Sequence, residues 1–122
     1  MKNLISIVEI PVLDFSRAVA FYQAVFGVHI HEVDMDDTLM GVFSHEDEEM
    51  NICIIKDKNT LPSDQGVLVY FDAQDDLQPI LDQIEVSGGI VLLPKTEIDP
   101  EMGFFALFLD SEGNKLGLHS QK

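Results

Sequence analysis

Only one cysteine, Cys53, occurs in the 122 residues, so no disulfide can form within the chain. It lies between Ile52 and Ile54 in a strand-like run with nothing nearby to stabilise a thiolate, and reads as a small buried hydrophobe. Basic residues are scarce: 7 Lys and Arg stand against 22 Asp and Glu, a formal net charge of −15. A nucleic acid needs clustered Lys and Arg to displace its counterions, so it is excluded as a direct ligand. No apolar run approaches the ~20 residues that span a bilayer, and Met1-Lys2-Asn3 leads into an alternating run rather than the apolar core of a signal peptide. The expectation is a cytoplasmic protein with no membrane partner. The chain has no G-x-S-x-G elbow, no phosphate-cradling glycine loop, no C-x-x-C pair and no H-E-x-x-H helix, which sets those enzyme classes aside.

What is present is a 46% hydrophobic composition, enough for one domain with its own core. Two stretches of the chain overlay at an offset of about sixty residues. In the first, 5–12 alternates as a strand does. Asp14 can then cap a helix with Phe15, Ala18, Val19, Tyr22, Val25 and Phe26 on its apolar face, and Gly27 stands where a left-handed stop is wanted. In the second, 67–73 is the strand and Asp75 the cap. Leu77, Ile80, Leu81 and Ile84 form the stripe, Pro79 falls in the tolerant first turn, and Gly88-Gly89 ends the helix. Three further strands follow each helix, at 29–34, 39–43 and 51–55, then at 90–93, 104–109 and 115–119. The polar stretches 44–49, 56–66 and 110–114 read as loops.

Each copy therefore reads β-α-β-β-β. Such a unit covers one sheet face with its helix and leaves the other bare, so two copies can enclose a cup, the natural place for a ligand. The fold class is α+β: two tandem βαβββ modules, 1–61 with the start of the linker and 62–122, forming a curved mixed sheet that encloses a cup within a single domain.

Several residue clusters invite a chemical reading beside a plainer one. His29 and His31 share a strand face as a metal pair could, but with Glu32 and Asp34 nearby they also suit a half-exposed strand. The run His45-Glu46-Asp47-Glu48-Glu49 is dense in oxygen ligands yet lacks calcium-loop spacing, and reads as a solvated acidic turn.

The stretches Glu9-Ile10-Pro11-Val12-Leu13-Asp14, Arg17-Ala18-Val19-Ala20-Phe21-Tyr22 and Val25-Phe26-Gly27 resemble the opening of glyoxalase / bleomycin-resistance (vicinal oxygen chelate) proteins. Gly88-Gly89, Phe105-Ala106-Leu107-Phe108 and the turn Asp110-Ser111-Glu112-Gly113-Asn114 are similar to that superfamily in the same order. Each piece alone has a bland reading as helix packing, a helix stop or a hairpin turn. The resemblance implies a divalent metal in the cup, held by His, Glu or Gln side chains and polarising a substrate with two neighbouring oxygens. Carried over position by position, the ligands fall on Ile7, Leu68, Gly117 and, to within about a residue, Ile52. None of these side chains can coordinate an ion, so no metal and no other cofactor is expected.

Alternation places Glu9 on the face of Ile7, Tyr70 on that of Leu68 and His119 on that of Gly117. These three are the candidate catalytic group. Their plainer roles are a carboxylate paired at the cup mouth, an amphipathic core aromatic and a terminal exposed histidine. In relatives of similar layout the loop corresponding to 97–103, just before the strand 104–109, can overhang the cup, so Ile98, Met102 and Phe104 join Ile7, Ile52, Leu68 and Gly117 as candidate cup residues, with ordinary loop packing as the alternative.

The leading expectation is a glyoxalase-like protein that binds a small, partly apolar organic molecule without the metal. The alternatives are a lyase or isomerase acting through Glu9, Tyr70 and His119 on an oxygenated or thiol-conjugated substrate, and an effector-sensing or protein-interaction module whose acidic surface meets a basic partner. The resemblance also implies a homodimer.

Overall fold

The computed structural model describes residues 4–122. The chain divides into two compact units, Met1–Pro62 and Ser63–Lys122. The first runs β1 (Val8–Pro11), α1 (Phe15–Phe26), β2 (His29–Met35), β3 (Thr38–His45) and β4 (Glu48–Lys56); the second runs β5 (Tyr70–Asp72), α2 (Gln78–Ile84), β6 (Ile90–Asp99), β7 (Gly103–Leu109) and β8 (Lys115–Ser120). Each unit is thus β-α-β-β-β, and the fold is α+β. The sheets are ordered β1-β4-β3-β2 and β5-β8-β7-β6, with the first strand parallel to the last and the other pairs antiparallel. Among the described residues no helix is long and apolar enough to cross a membrane.

In the first unit, Asp14 caps α1 by accepting from the Arg17 N–H at 3.1 Å, and Gly27 closes it at φ 65°, where a side chain would be strained. The buried face of α1 is Phe15, Ala18, Phe21, Tyr22 and Val25; Phe21 belongs to it, while Val19 and Phe26 lie at its margin. These residues meet the helix-facing parity of the sheet, Ile10, Ile30, Phe43 and Ile54, all at most 3% exposed. Tyr22 and Phe43 pack with ring centroids 5.2 Å apart. Burying each such side chain contributes roughly 1.5–3 kcal/mol.

In the second unit, α2 covers its sheet with Leu77, Leu81 and Ile84 against Phe71, Ala106, Phe108, Leu116 and Leu118, all buried. Ile80, expected in the stripe, is half-buried. Asp75 does not cap this helix. The helix starts two residues later, with Leu77 as its N-cap and Pro79 in its first turn, and Asp76 takes the Gln78 N–H on Oδ1 at 2.9 Å and the Lys95 ammonium on the same oxygen at 2.8 Å. At the far end the Gly89 N–H donates to the Ile84 carbonyl and Gly88 adopts φ 107°, so the glycine pair does stop the chain.

The strands depart from the expected bounds for physical reasons. The first and fifth are shorter than 5–12 and 67–73 because the ladders start at Val8↔Ile52 and Tyr70↔Gly117, and alternation without a partner forms no strand. β6 runs past Leu93 to Asp99. Pro94 cannot donate to a ladder, but β6 is an edge strand and its register shifts between Leu93 and Thr96 absorb the proline. Most of the stretch 97–103, expected as a loop, is therefore strand. The stretch 44–49 is likewise mostly ladder, turned by Glu46 and Asp47 at φ 52° and 66°, the left-handed pair of a two-residue hairpin.

The turn at 110–114 is a buried polar knot. Asp110 Oδ1 accepts the N–H groups of Glu112 and Asn114, both at 2.9 Å, and Asp110 Oδ2 accepts from the Asn114 amide at 3.0 Å. The Asn114 side-chain oxygen in turn receives the Ser63 N–H at 3.0 Å, pinning the connector.

Candidate functional site

Strand alternation sorts the second sheet into two faces. Phe71, Leu118 and Ala106 point to the helix. The register places two rows on the open face: Tyr70, Gly117 and Leu107 in one, Asp72, His119 and Phe105 in the next. A pocket of about 590 Å³ sits on these rows, lined by Tyr70, Asp72, Ile98, Met102, Phe105 and His119.

Each lining group is held by its neighbours. The Tyr70 ring lies directly over Gly117, so closely that a Cβ at 117 would come within 2.4 Å of its Cδ2 atom. Tyr70 and Phe105 are tilted at 57° with centroids 6.4 Å apart. Asp99 accepts the N–H groups of Glu101 and Met102 at 2.8 and 2.6 Å, which fixes the short turn after β6. The Met102 carbonyl then meets His119 Nε2 at 2.5 Å. A carbonyl only accepts, so Nε2 carries the proton and, in the neutral ring, Nδ1 keeps the lone pair. Asp72 accepts the Gln74 N–H on Oδ1 at 2.9 Å.

The structure thus brings Tyr70, His119, Ile98 and Met102 to one pocket, all within the second unit. Phe104 is not there. It shares the helix-facing parity of Ala106 and Phe108 and lies under the Lys95 ammonium, 4.7 Å from its ring centroid, while Phe105 takes the pocket wall. Gly117 lies beneath the Tyr70 ring, and Leu68 lines a separate polar hollow of about 200 Å³ beside Lys115. Glu9, Ile7 and Ile52 belong to the first unit, where with Cys53, Met40 and Val42 they line a hollow of about 250 Å³. Sequence reasoning missed Asp72 and Phe105. Asp72 was recoverable, since alternation from Tyr70 reaches it in two steps; Phe105 required the hairpin register.

The donor set for a metal can be tested on these positions. Ile7 and Leu68 carry no lone pair, and Gly117 has no side chain and no room for one under Tyr70. The fourth position resolves by register. Val12 N–H donates to the Ile55 carbonyl as Ala73 N–H does to that of His119, and Glu9 pairs Cys53 as Tyr70 pairs Gly117. The residue of the first unit in the place of Gly117 is therefore Cys53, one beyond Ile52. Burial pushes its thiol pKa up, and the nearby Glu9 carboxylate pushes it further, both against the thiolate a metal requires. Among the described residues no three His, Cys, Asp or Glu side chains gather as a metal site would need. The residues present do not fit the ion that the resemblance implies.

The model of the Glyoxalase/Bleomycin resistance protein/Dioxygenase superfamily matches residues 4–118. Among solved structures, a glyoxylase/bleomycin resistance protein/dioxygenase domain from a Frankia species superposes with a TM-score of 0.79 at 15% identity, covering 100% of this chain and 94% of its own. Glyoxalase I from Zea mays gives 0.76 at 17%, over 95% of this chain but only 45% of the maize protein, so the chain spans less than half of that relative. A mutant of the fosfomycin resistance protein FosX from Listeria monocytogenes, complexed with Mn(II) and a dihydroxypropylphosphonic acid, gives 0.71 at 19% over 100% and 95%. No curated protein matches the chain by sequence. At these identities the structural likenesses carry the fold.

Proposed function

This chain belongs to the Glyoxalase/Bleomycin resistance protein/Dioxygenase superfamily, and from that membership we propose that it binds a small, partly apolar organic molecule in the pocket of its second unit, without the superfamily's metal. The observation that carries this reading is the convergence of Ile98, Met102, Phe105 and the Tyr70 ring on a pocket of about 590 Å³, whose polar side chains among the described residues are those of Tyr70, Asp72 and His119. That volume lies in the ordinary range for small-molecule sites, and an apolar wall with a few placed polar groups is how such sites hold and orient a ligand. The replacement of ligand positions by Ile7, Leu68 and Gly117 supports the absence of a metal-dependent step.

A screen of small aromatic and aliphatic fragments by protein-detected NMR tests the reading. Hits should shift resonances of Phe105, Met102 and His119, and Phe105→Ala should weaken them by about tenfold, the loss of one buried aromatic contact. Hits that cluster elsewhere and ignore Phe105→Ala would overturn it. A homodimer belongs to the same proposal, and a sedimentation mass equal to one chain would remove that part.

A second reading, a lyase or isomerase, is favoured by the placing of Tyr70 and His119 in one pocket, where a phenol and an imidazole with an available Nδ1 can orient a substrate or move a proton. Glu9 lines the first unit's hollow, so its part is tested separately. Tyr70→Phe and His119→Ala should each abolish turnover of a cognate substrate, and Glu9→Gln should do so only if all three act together.

A further inference from the structure

Resting on the reading that this pocket holds a ligand, we propose that the ligand is an organic cation: an apolar body carrying an ammonium or similar group directed at Asp72, between the rings of Tyr70 and Phe105. Of the six lining residues only Asp72 bears a fixed charge. Its Oδ1 is occupied by the Gln74 N–H, and its other oxygen has no hydrogen-bond partner among the described residues. A neutral ligand offers that oxygen at most an uncharged hydrogen bond, and an anion would meet both the carboxylate and two ring quadrupoles of the wrong sign. A cation pairs with the carboxylate and is attracted by the ring faces, whose tilt of 57° at 6.4 Å makes a corner rather than a flat wall.

The surroundings have the same sign. A polar hollow of about 320 Å³ shares Asp72 and His119 with the pocket and adds a second carboxylate, Asp75, against one ammonium, Lys122. Lys95 is engaged by Asp76 and by the Phe104 ring, which has the helix-facing parity. The net charge of −15 concentrates cations near the surface and repels anions.

The test compares three probes of one size, benzyltrimethylammonium, benzyl alcohol and phenylacetate, titrated into the unmodified protein by NMR at about 150 mM salt, where long-range attraction is screened. Benzyltrimethylammonium should bind at least about tenfold more tightly than benzyl alcohol, with phenylacetate weakest. Asp72→Asn, at an exposed position and with the Oδ1 acceptor kept, should bring the cation down to the affinity of benzyl alcohol and leave benzyl alcohol unchanged. Asp75→Asn removes the same charge from the adjoining hollow and should leave the cation's advantage intact. Equal effects of the two variants would mean a general field rather than a site and would overturn the proposal. Benzyl alcohol or phenylacetate binding as well as the cation, with dependence on Phe105, would also overturn it while the pocket reading stands. No binding by any probe would remove both.

Discussion

At the residue scale, the decisive position is Gly117. Its Cα faces a ring, and the Cβ of any other residue would meet Tyr70 Cδ2 at 2.4 Å and Cε2 at 2.6 Å. Gly117→Ala should therefore swing Tyr70 away, destabilise the fold by about 1–3 kcal/mol and weaken ligand binding. In a Tyr70→Ala background the same substitution should cost less than about 1 kcal/mol, and a double-mutant cycle by urea denaturation measures the difference. A second residue prediction concerns Cys53, whose thiol is buried and shifted against ionisation. Iodoacetamide should modify it only as fast as the protein opens, and rapid labelling of the native protein would contradict the structure. Much of this scale was hidden in the sequence. Tyr70 and His119 could be placed by alternation within a strand, but Phe104 and Phe105 are adjacent and equally apolar, and only the pairing Phe105↔His119 decides which faces the pocket.

At the scale of elements, the turn at 110–114 is legible as a motif but not as what it does: its Asp and Asn are a buried structural clamp rather than chemistry. Asn114→Ala removes the amide that donates to Asp110 Oδ2 and the oxygen that accepts the Ser63 N–H, and should cost about 1–3 kcal/mol in denaturant unfolding, with the midpoint falling and the slope unchanged. The start of α2 differs from the sequence reading because Asp75 makes no cap: the N-cap is Leu77, without a side-chain cap bond, and the neighbouring Asp76 is engaged by a lysine 19 residues away. That hydrogen bond from Lys95, with the Gln78 N–H, holds the Asp76 carboxyl below its ordinary pKa. A lowered folded-state value means that the stabilisation is present above the unfolded carboxylate pKa of about 3.9 and is lost as pH falls through the folded value. A ¹³C carboxyl titration should find Asp76 below the usual range, and Lys95→Met should move its midpoint up. β6 shows the opposite limit: Pro94 reads as a strand end, and only its place at the sheet edge lets the strand continue.

At the scale of the whole molecule, the repeated β-α-β-β-β order made the fold readable. Each helix stripe, each stop and each strand had a counterpart about sixty residues away, so a doubtful segment in one copy was supported by the other. The same symmetry exposes the chemical departure. In both units the strand pair that the family resemblance assigns to the metal presents residues unsuited to it, an isoleucine and a buried thiol in one, a leucine and a glycine under a tyrosine ring in the other. The central claim, a ligand-binding member of this superfamily that works without its ion, is tested most directly by metal analysis of protein purified without added metal, followed by thermal unfolding with nickel, manganese, zinc and magnesium. Binding to the native state at a hundred times the dissociation constant would add about 2.7 kcal/mol. The account predicts substoichiometric metal and no such stabilisation by any of the four ions. A stoichiometric ion with a clear upward shift in Tm would contradict it and return the chain to metal-dependent chemistry.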